Sequence, residues 1–436
     1  MKALIATLFT VVLAFPAWAE VKIQDVTSPK GIKAWLVEEH SIPFTALELR
    51  FRGGTSLDTP GKRGAINLMT GLIEEGAGDL DARAYARKLE SLAASFGYDV
   101  GDDTLSISAR FLTENRDEVI DLLRTTLLEP RFDQDAVDRV RAQVISGLKS
   151  NAKDPNSIAG KSVRSMIYGD HPYASDGQGT IESVSALTRD DIVDAHAGVL
   201  VRDQLYVGAV GDITAEELGA LLDELLADLP ETGRAIPAKA DLNLTGGVTV
   251  VDFDTPQSQV LFSQGGIDRD DDDFFTAYVM NHILGGGSFE SRLMEEVRVK
   301  RGLTYGVYSY LLPKDLASLY MGSVASGNDR VAEAIEVIQA EWAKLATEGV
   351  TAKELKDAQT YLTGAYPLRF DGNGQIAGIM VGMQMQDLPI DYIATRNDKV
   401  NAVTLDDIKR VAGELLTPEQ LHFTVVGKPV GLETTN

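Results

Sequence analysis

The 436-residue chain carries 41 lysines and arginines against 65 aspartates and glutamates, a formal net charge of −24. That balance speaks against a nucleic-acid binder or a protein held on anionic lipid, because both need a positive surface field. No cysteine is present, which excludes disulfides, thiolate zinc sites, iron–sulfur clusters and cysteine nucleophiles together, and only His40, His171, His196, His282 and His422 supply imidazole.

The first residues read as an address. Lys2, an apolar stretch over 3–15 and the small pair Ala17 and Ala19 before Glu20 describe a signal peptide over 1–19, cut after Ala19. The competing reading, a membrane anchor, meets an apolar run too short to span, and nothing later approaches the roughly 18 apolar residues a spanning helix needs. The expectation is a mature chain with no integral membrane segment, delivered to a bacterial periplasm.

Beyond the leader, residues 32–38 and 47–52 alternate like strands, and helical spacing follows at 66–75 and 82–93. Residues 105–111 alternate again, before helical patterns at 116–127 and 136–151. Strands grouped apart from runs of helices point to an α+β architecture, a mainly antiparallel sheet with helices on one face.

The chain then repeats itself. Residues 184–211 align without a gap on 400–427, with identities at Val184/Val400, Ala186/Ala402, Thr188/Thr404, Asp190/Asp406, Asp191/Asp407, Ile192/Ile408, Leu200/Leu416, Gln204/Gln420, Leu205/Leu421, Val210/Val426 and Gly211/Gly427. Each copy reads as a Thr-capped helix, a loop and a short apolar strand. The offset of 216 is about half the mature length, so a whole domain is duplicated. The expected organisation is one domain over 20–228, a Pro- and Gly-punctuated linker over 229–242 and a second domain over 243–436, the two enclosing a cleft of the kind that binds ligands.

Chemical motifs are mostly missing. There is no H-E-x-x-H, H-x-x-E-H, G-x-S-x-G or phosphate-binding loop. The acidic run 268–273 lacks the central glycine and distal glutamate of a calcium loop, and reads as a solvated loop whose last member, Asp273, caps the next helix. His282 lies in an apolar helical run and reads as a core or cleft residue rather than a ligand.

One segment stands apart. Residues 288–301 read as a helix with Arg298, Lys300 and Arg301 in its last turn; Gly302 ends it, and 303–310 alternate as a strand. Arg298 and Tyr305 sit across that turn, where a guanidinium fork and a phenol could meet on one carbonyl or carboxylate. Cations answering the helix dipole, beside a tyrosine packed on a sheet, would look the same.

Residues 284–305, through Leu284-Gly285-Gly286-Gly287-Ser288, Ser291-Arg292-Leu293, Val297-Arg298 and Arg301-Gly302-Leu303-Thr304-Tyr305, resemble the second domain of the insulinase/pitrilysin family of inverted-motif zinc peptidases, which includes the mitochondrial processing peptidase. The likeness extends over the mature chain and implies that Arg298 and Tyr305 bind substrate and stabilise the transition state. It also places the zinc motif on Asn67, Thr70 and Gly71, where an amide, a hydroxyl and no side chain replace two imidazoles and a general base. The family's third ligand would fall near Ser146 and Gly147, yet 139–153 contain no acid. The resemblance therefore implies no zinc in this chain. It implies instead the zinc-less subunit of a heterodimeric metalloendopeptidase, inactive alone, that binds peptide and lends Arg298 and Tyr305 to a homologous partner holding the zinc. A non-catalytic structural or peptide-binding protein of the same fold is the alternative.

Overall fold

A computed structural model describes residues 22–286 and 289–435; the expected leader lies outside them. The strands are β1 Gln24–Thr27, β2 Lys33–Glu38, β3 Phe44–Arg52, β4 Gly76–Ala77, β5 Leu80–Asp81, β6 Ser95–Val100, β7 Thr104–Leu112 and β8 Leu205–Gly211 in the first half. The second half holds β9 Gly247–Asp252, β10 Gln257–Gly265, β11 Thr304–Lys314, β12 Ala317–Gly327 and β13 His422–Gly427.

The first large sheet runs β1-β2-β8-β3-β7-β6 and the second runs β11-β12-β10-β13-β9. Reversing the second gives β9-β13-β10-β12-β11, which matches β2-β8-β3-β7-β6 strand for strand. Even the exception repeats: β8 is parallel to β2 and β13 is parallel to β9, while the other large-sheet pairings are antiparallel. The aligned repeats are built alike as well. Thr188 and Thr404 each close a capping box, with Asp191 and Asp407, over helices Arg189–Val199 and Leu405–Leu415, and each helix leads through a short 3-10 turn into β8 or β13. The α+β duplication is thus present at the level of topology.

Alternation decides which face of each strand is covered. In β3, Leu47, Leu49 and Phe51 enter the first core, and Glu48, Arg50 and Arg52 point to the opposite face. In β10, Val260 and Phe262 enter the second core. Helices of the same half cover these apolar faces. The opposite faces receive something the sequence pattern did not reveal: the halves exchange one helix each. Pro155–Tyr168 packs on β10 and β13, and Asn373–Met385 packs on β3 and β8. These helices also stand about one repeat apart, 155 plus 216 being 371, so the exchange follows the duplication. Val163, Ile167 and Tyr168 join Leu319 and Met321, and Ala377 and Met380 join Val210. Gly208 makes the second contact possible, because a Cβ there would stand 2.8 Å from the Ala377 carbonyl oxygen. Burying each such aliphatic side chain contributes about 1.5–3 kcal/mol, so the halves are locked together rather than tethered.

The expected linker is free of helix and strand but is strapped down. Arg234 Nη1 donates to the Leu57 carbonyl at 2.8 Å and the Ala240 N–H to Leu316 at 2.9 Å, and just past the linker the Asn243 N–H donates to Ile167 at 2.8 Å. Two local expectations fail. The helix expected over 66–75 stops at Thr70, and beyond it Leu72, Ile73 and Glu75 bond to carbonyls three residues back, the tighter spacing of turns. Asp273 does not cap its helix with its side chain; its carboxylate is held by Arg410 at 2.6 and 2.8 Å.

Candidate substrate-binding site on the second domain

The segment carrying Arg298 is wound differently from the expected α-helix. Met294–Val299 forms a π turn, and Lys300 N–H donates to the Glu295 carbonyl five residues back at 2.9 Å. Insertions of this kind recur at functional sites. The wide turn sends Leu293, Met294 and Val297 into the core and leaves Arg298 half-buried at the rim. Gly302, with φ of 61°, reverses the chain into β11. Upstream, helix Phe274–Gly285 presses its end against that strand; a Cβ on Gly285 would lie 2.5 Å from Ser309 Oγ. Gly287, and Ser288 at the start of the expected helix, lie outside the described residues.

Arg298 and Tyr305 are brought together. The guanidinium carbon lies 4.7 Å from the Tyr305 ring centre and 4.7 Å from that of Phe289, so the cation contacts two rings. Both rings are open to solvent, Tyr305 at 87% and Phe289 at 66% exposure. The helix-dipole reading suits the neighbours but not Arg298. Lys300 and Arg301 are both spent on Glu296, at 2.6 and 2.7 Å, whereas the Arg298 side chain makes no ion pair or hydrogen bond with the described residues. A guanidinium that rests against rings and makes no hydrogen bond keeps its N–H groups free for a carbonyl or carboxylate. Phe289 was not singled out from the sequence; no spacing rule marks a residue nine positions before the arginine it stacks on.

Tyr305 sits on β11, the outer strand of its sheet, and no described strand pairs with its free edge. The register with β12 slips between Thr304 and Val307, an irregularity that turns side chains out of the regular alternation. An open edge of this kind can accept an extended chain as an added strand.

Behind the site, Arg292 anchors the segment. Its Nε and Nη2 grip the two carboxylate oxygens of Glu354 at 2.6 and 2.9 Å, and Glu354 also accepts from the Thr351 N–H and hydroxyl in a capping box. Burial pushes the Glu354 carboxyl up, but Arg292 and Thr351 outweigh it and bring it down to about 2 from an ordinary 4.5. A depressed carboxyl contributes stability in full above its unfolded value and loses it as pH falls through the folded one. Glu354→Gln should therefore cost about 2 kcal/mol at neutral pH, the scale of a charge-assisted bond to a buried partner. The gap to wild type should close as pH falls from about 4.5 toward 2; a gap that holds steady over that range in chemical denaturation would contradict the assignment.

The zinc-motif positions form no site. Thr70 is buried and its hydroxyl donates to its own helix at Ile66 O, 2.8 Å away. Asn67 is half-buried, and Gly71 lies one residue beyond the end of the helix Ala65–Thr70. Ser146 and Gly147 are exposed on helix Gln134–Asn151 with no acid beside them in sequence. Among the described residues no group of three or more His, Asp or Glu could hold a metal ion. Among the described residues no hydrogen bond, ion pair or ring contact joins helix Ala65–Thr70 to Arg298 or Tyr305. Of the two places the sequence left open for His282, core or cleft, it occupies a cleft: its ring stacks on Tyr361 at 5.0 Å, and burial pushes its pKa down.

Comparison with known proteins places the chain in a family. Residues 34–180 match the family model described as insulinase (peptidase family M16), and residues 186–362 match the one described as the peptidase M16 inactive domain. A Helicobacter pylori protein named non-peptidase homolog YmxG is 28% identical over 393 residues, covering 89% of this chain and 90% of its own. An uncharacterized zinc protease of Mycobacterium leprae is 25% identical over 360 residues, covering 81% and 80%. A crystal structure of a peptidase M16 inactive domain from Pseudomonas fluorescens superposes with a TM-score of 0.88 at 28% identity, over 94% of this chain and 99% of that one. With two models of one family matching successive stretches of a duplicated chain, the chain belongs to the insulinase family of peptidases, family M16, without the H-x-x-E-H of its zinc motif.

Proposed function

We propose that this chain is the zinc-less subunit of a periplasmic two-chain metallopeptidase, in which it binds peptide and offers Arg298 and Tyr305 to a homologous partner's zinc centre. The observation that carries the reading is the asymmetry of its two functional regions. The zinc positions are vacated down to a glycine, whereas Arg298 remains the one cation of its turn without a carboxylate, in contact with two exposed rings beside an open strand edge. A protein that had lost all catalytic duty would have no physical need to hold an unpaired guanidinium in that position. The non-peptidase name of the Helicobacter relative fits a chain inactive by itself.

In the proposed complex a peptide adds along β11, which brings its backbone past Tyr305. Arg298 would take a substrate carbonyl or carboxylate, and the Tyr305 hydroxyl would donate to the oxyanion developing on the scissile carbonyl, the partner's zinc supplying activation of the attacking water. The test is reconstitution. The mature chain alone should leave a quenched fluorescent peptide intact; mixed with a homologous chain carrying H-x-x-E-H, it should give cleavage that a chelator abolishes. Strong chelator-sensitive cleavage by this chain alone would overturn the proposal, as would a zinc-bearing partner whose rate is indifferent to its presence.

A further inference from the structure

A cavity lined by neither Arg298 nor Tyr305 carries a charge of its own. It occupies about 790 Å³ between helices Phe274–Gly285, Asn373–Met385 and Tyr392–Ala402, floored by β3 and β11. Four arginines line it, Arg50, Arg269, Arg369 and Arg396, against a single acid, Glu48. Glu48 is already engaged by Arg50 at 3.4 Å. The other three arginines make no ion pair with any described residue. In a chain with 65 acids and 41 bases, three unpaired cations grouped on one cavity run against the composition.

Arg396 makes the point sharpest, being only 4% exposed. Its Nη1 donates to the Leu362 carbonyl at 2.9 Å and to Asn397 Oδ1 at 3.0 Å, and its guanidinium carbon lies 4.5 Å from the Tyr366 ring centre and 5.4 Å from that of Tyr278. Neutral partners of this kind orient a buried cation but do not compensate its charge, and an uncompensated buried charge is costly. Arg269 is posed in the same way, 4.3 Å from the Phe274 ring centre and donating to the Tyr392 hydroxyl at 2.9 Å. Tyr366 records the joint field. Burial pushes its phenol up to about 12, while all three arginines pull the other way. Its hydroxyl thus stays protonated and able to donate.

We propose that this cavity is a binding site for a carboxylate on an apolar body, with Arg396 and Arg269 as its counter-charges, Arg369 at its mouth and the surrounding rings enclosing the rest of the ligand. Planar guanidinium forks match a carboxylate's two oxygens, and the volume falls in the range of small-ligand sites. A peptide's C-terminal residue and a free aromatic acid share this chemistry.

Binding is measured by calorimetry on the mature chain by itself, without any zinc-bearing partner, so its outcome is independent of whether the two-chain peptidase reading holds. The probes are N-acetyl-Leu-Phe as free acid, the same dipeptide as C-terminal amide, and 3-phenylpropanoate. The free acid should bind at least tenfold more tightly than the amide. Phenylpropanoate binding as tightly as the dipeptide acid assigns the site to small carboxylates, and tenfold weaker binding assigns it to a peptide terminus. Arg269→Gln and Arg369→Gln leave the buried Arg396 in place, and together they should weaken the acid at least tenfold while the thermal midpoint holds. Arg396→Lys keeps the charge but loses the fork and should weaken binding as well. Equal affinity for acid and amide, absence of binding by either acid, or a double variant that binds as wild type does would overturn the proposal.

Discussion

Replacing Tyr305 with phenylalanine in the reconstituted pair should lower kcat by about 10²–10³-fold and leave KM within a small factor, the signature of losing one donor to a developing oxyanion. The side chain lends itself to this test because so little else depends on it. Tyr305 is 87% exposed, and its hydroxyl has no hydrogen-bond partner among the described residues, so removing one oxygen disturbs no packing and orphans no buried group. Its ring, which faces Arg298, is retained in phenylalanine. Arg298→Ala should behave differently. If the guanidinium grips substrate in the ground state as well as the transition state, KM should rise along with the fall in kcat, and Phe289 would lose the cation it covers. Phe289→Ala supplies the intermediate case: the charge is kept but one of its two ring contacts is removed, so KM should rise with a smaller effect on kcat. Steady-state kinetics of the three variants against one peptide separates these patterns, and a Tyr305→Phe pair with wild-type kcat would remove the tyrosine from the mechanism.

The contrast between the two functional regions was legible because it depends on residue identity at fixed spacing. Asn67, Thr70 and Gly71 can be counted off a helix face from the sequence, and the structure adds that this helix ends at Thr70. The duplication was legible for a related reason. Thr188 and Thr404 make the same capping box, and hydrogen bonds three residues apart leave a trace in sequence. What escaped was set by contacts distant in the chain. The π turn over Met294–Val299 buries 293, 294 and 297, a spacing an α-helix satisfies equally well. The exchange of Pro155–Tyr168 and Asn373–Met385 could not be seen because alternation in β3 says that Glu48, Arg50 and Arg52 leave the core, not what they meet on the other side. They meet the other half of the protein, and a face that would read as solvated is instead the wall of a cavity.

That junction is where the largest loss of stability is expected. Asp102, at the turn between β6 and β7, is the hub of the contact between halves: it accepts from Lys314 of the second half and from Arg164 of the exchanged helix at 2.9 Å, with Thr55 Oγ1 at 3.3 Å. Its side chain is 10% exposed and that of Lys314 13%, so both charges are out of water, and the Lys314 ammonium also rests 3.4 Å from the centre of the Tyr173 ring. Burial pushes the Asp102 carboxyl up, but Lys314 and Arg164 outweigh it and hold it below its ordinary value. Asp102→Asn should therefore leave Lys314 buried without the carboxylate that pairs with it, at a cost of about 3 kcal/mol and a fall in thermal midpoint of roughly 3–6 °C for a chain of this length. An exposed pair gives the control: Arg124–Asp228, with the aspartate 61% exposed, should tolerate Asp228→Asn with no measurable change in midpoint. The pH dependence has a definite sign. A carboxylate with a lowered folded pKa stabilises fully above its unfolded value and gives that up as pH falls through the folded one, so wild type should converge on Asp102→Asn only below the ordinary carboxylate range. Because Asp102 and Lys314 belong to different halves, the same substitution should raise hydrogen exchange in β10 and in helix Pro155–Tyr168, elements that pack on each other across the junction. Exchange confined to the turn around residue 102 would mean that the exchanged helices, not this ion cluster, hold the halves together.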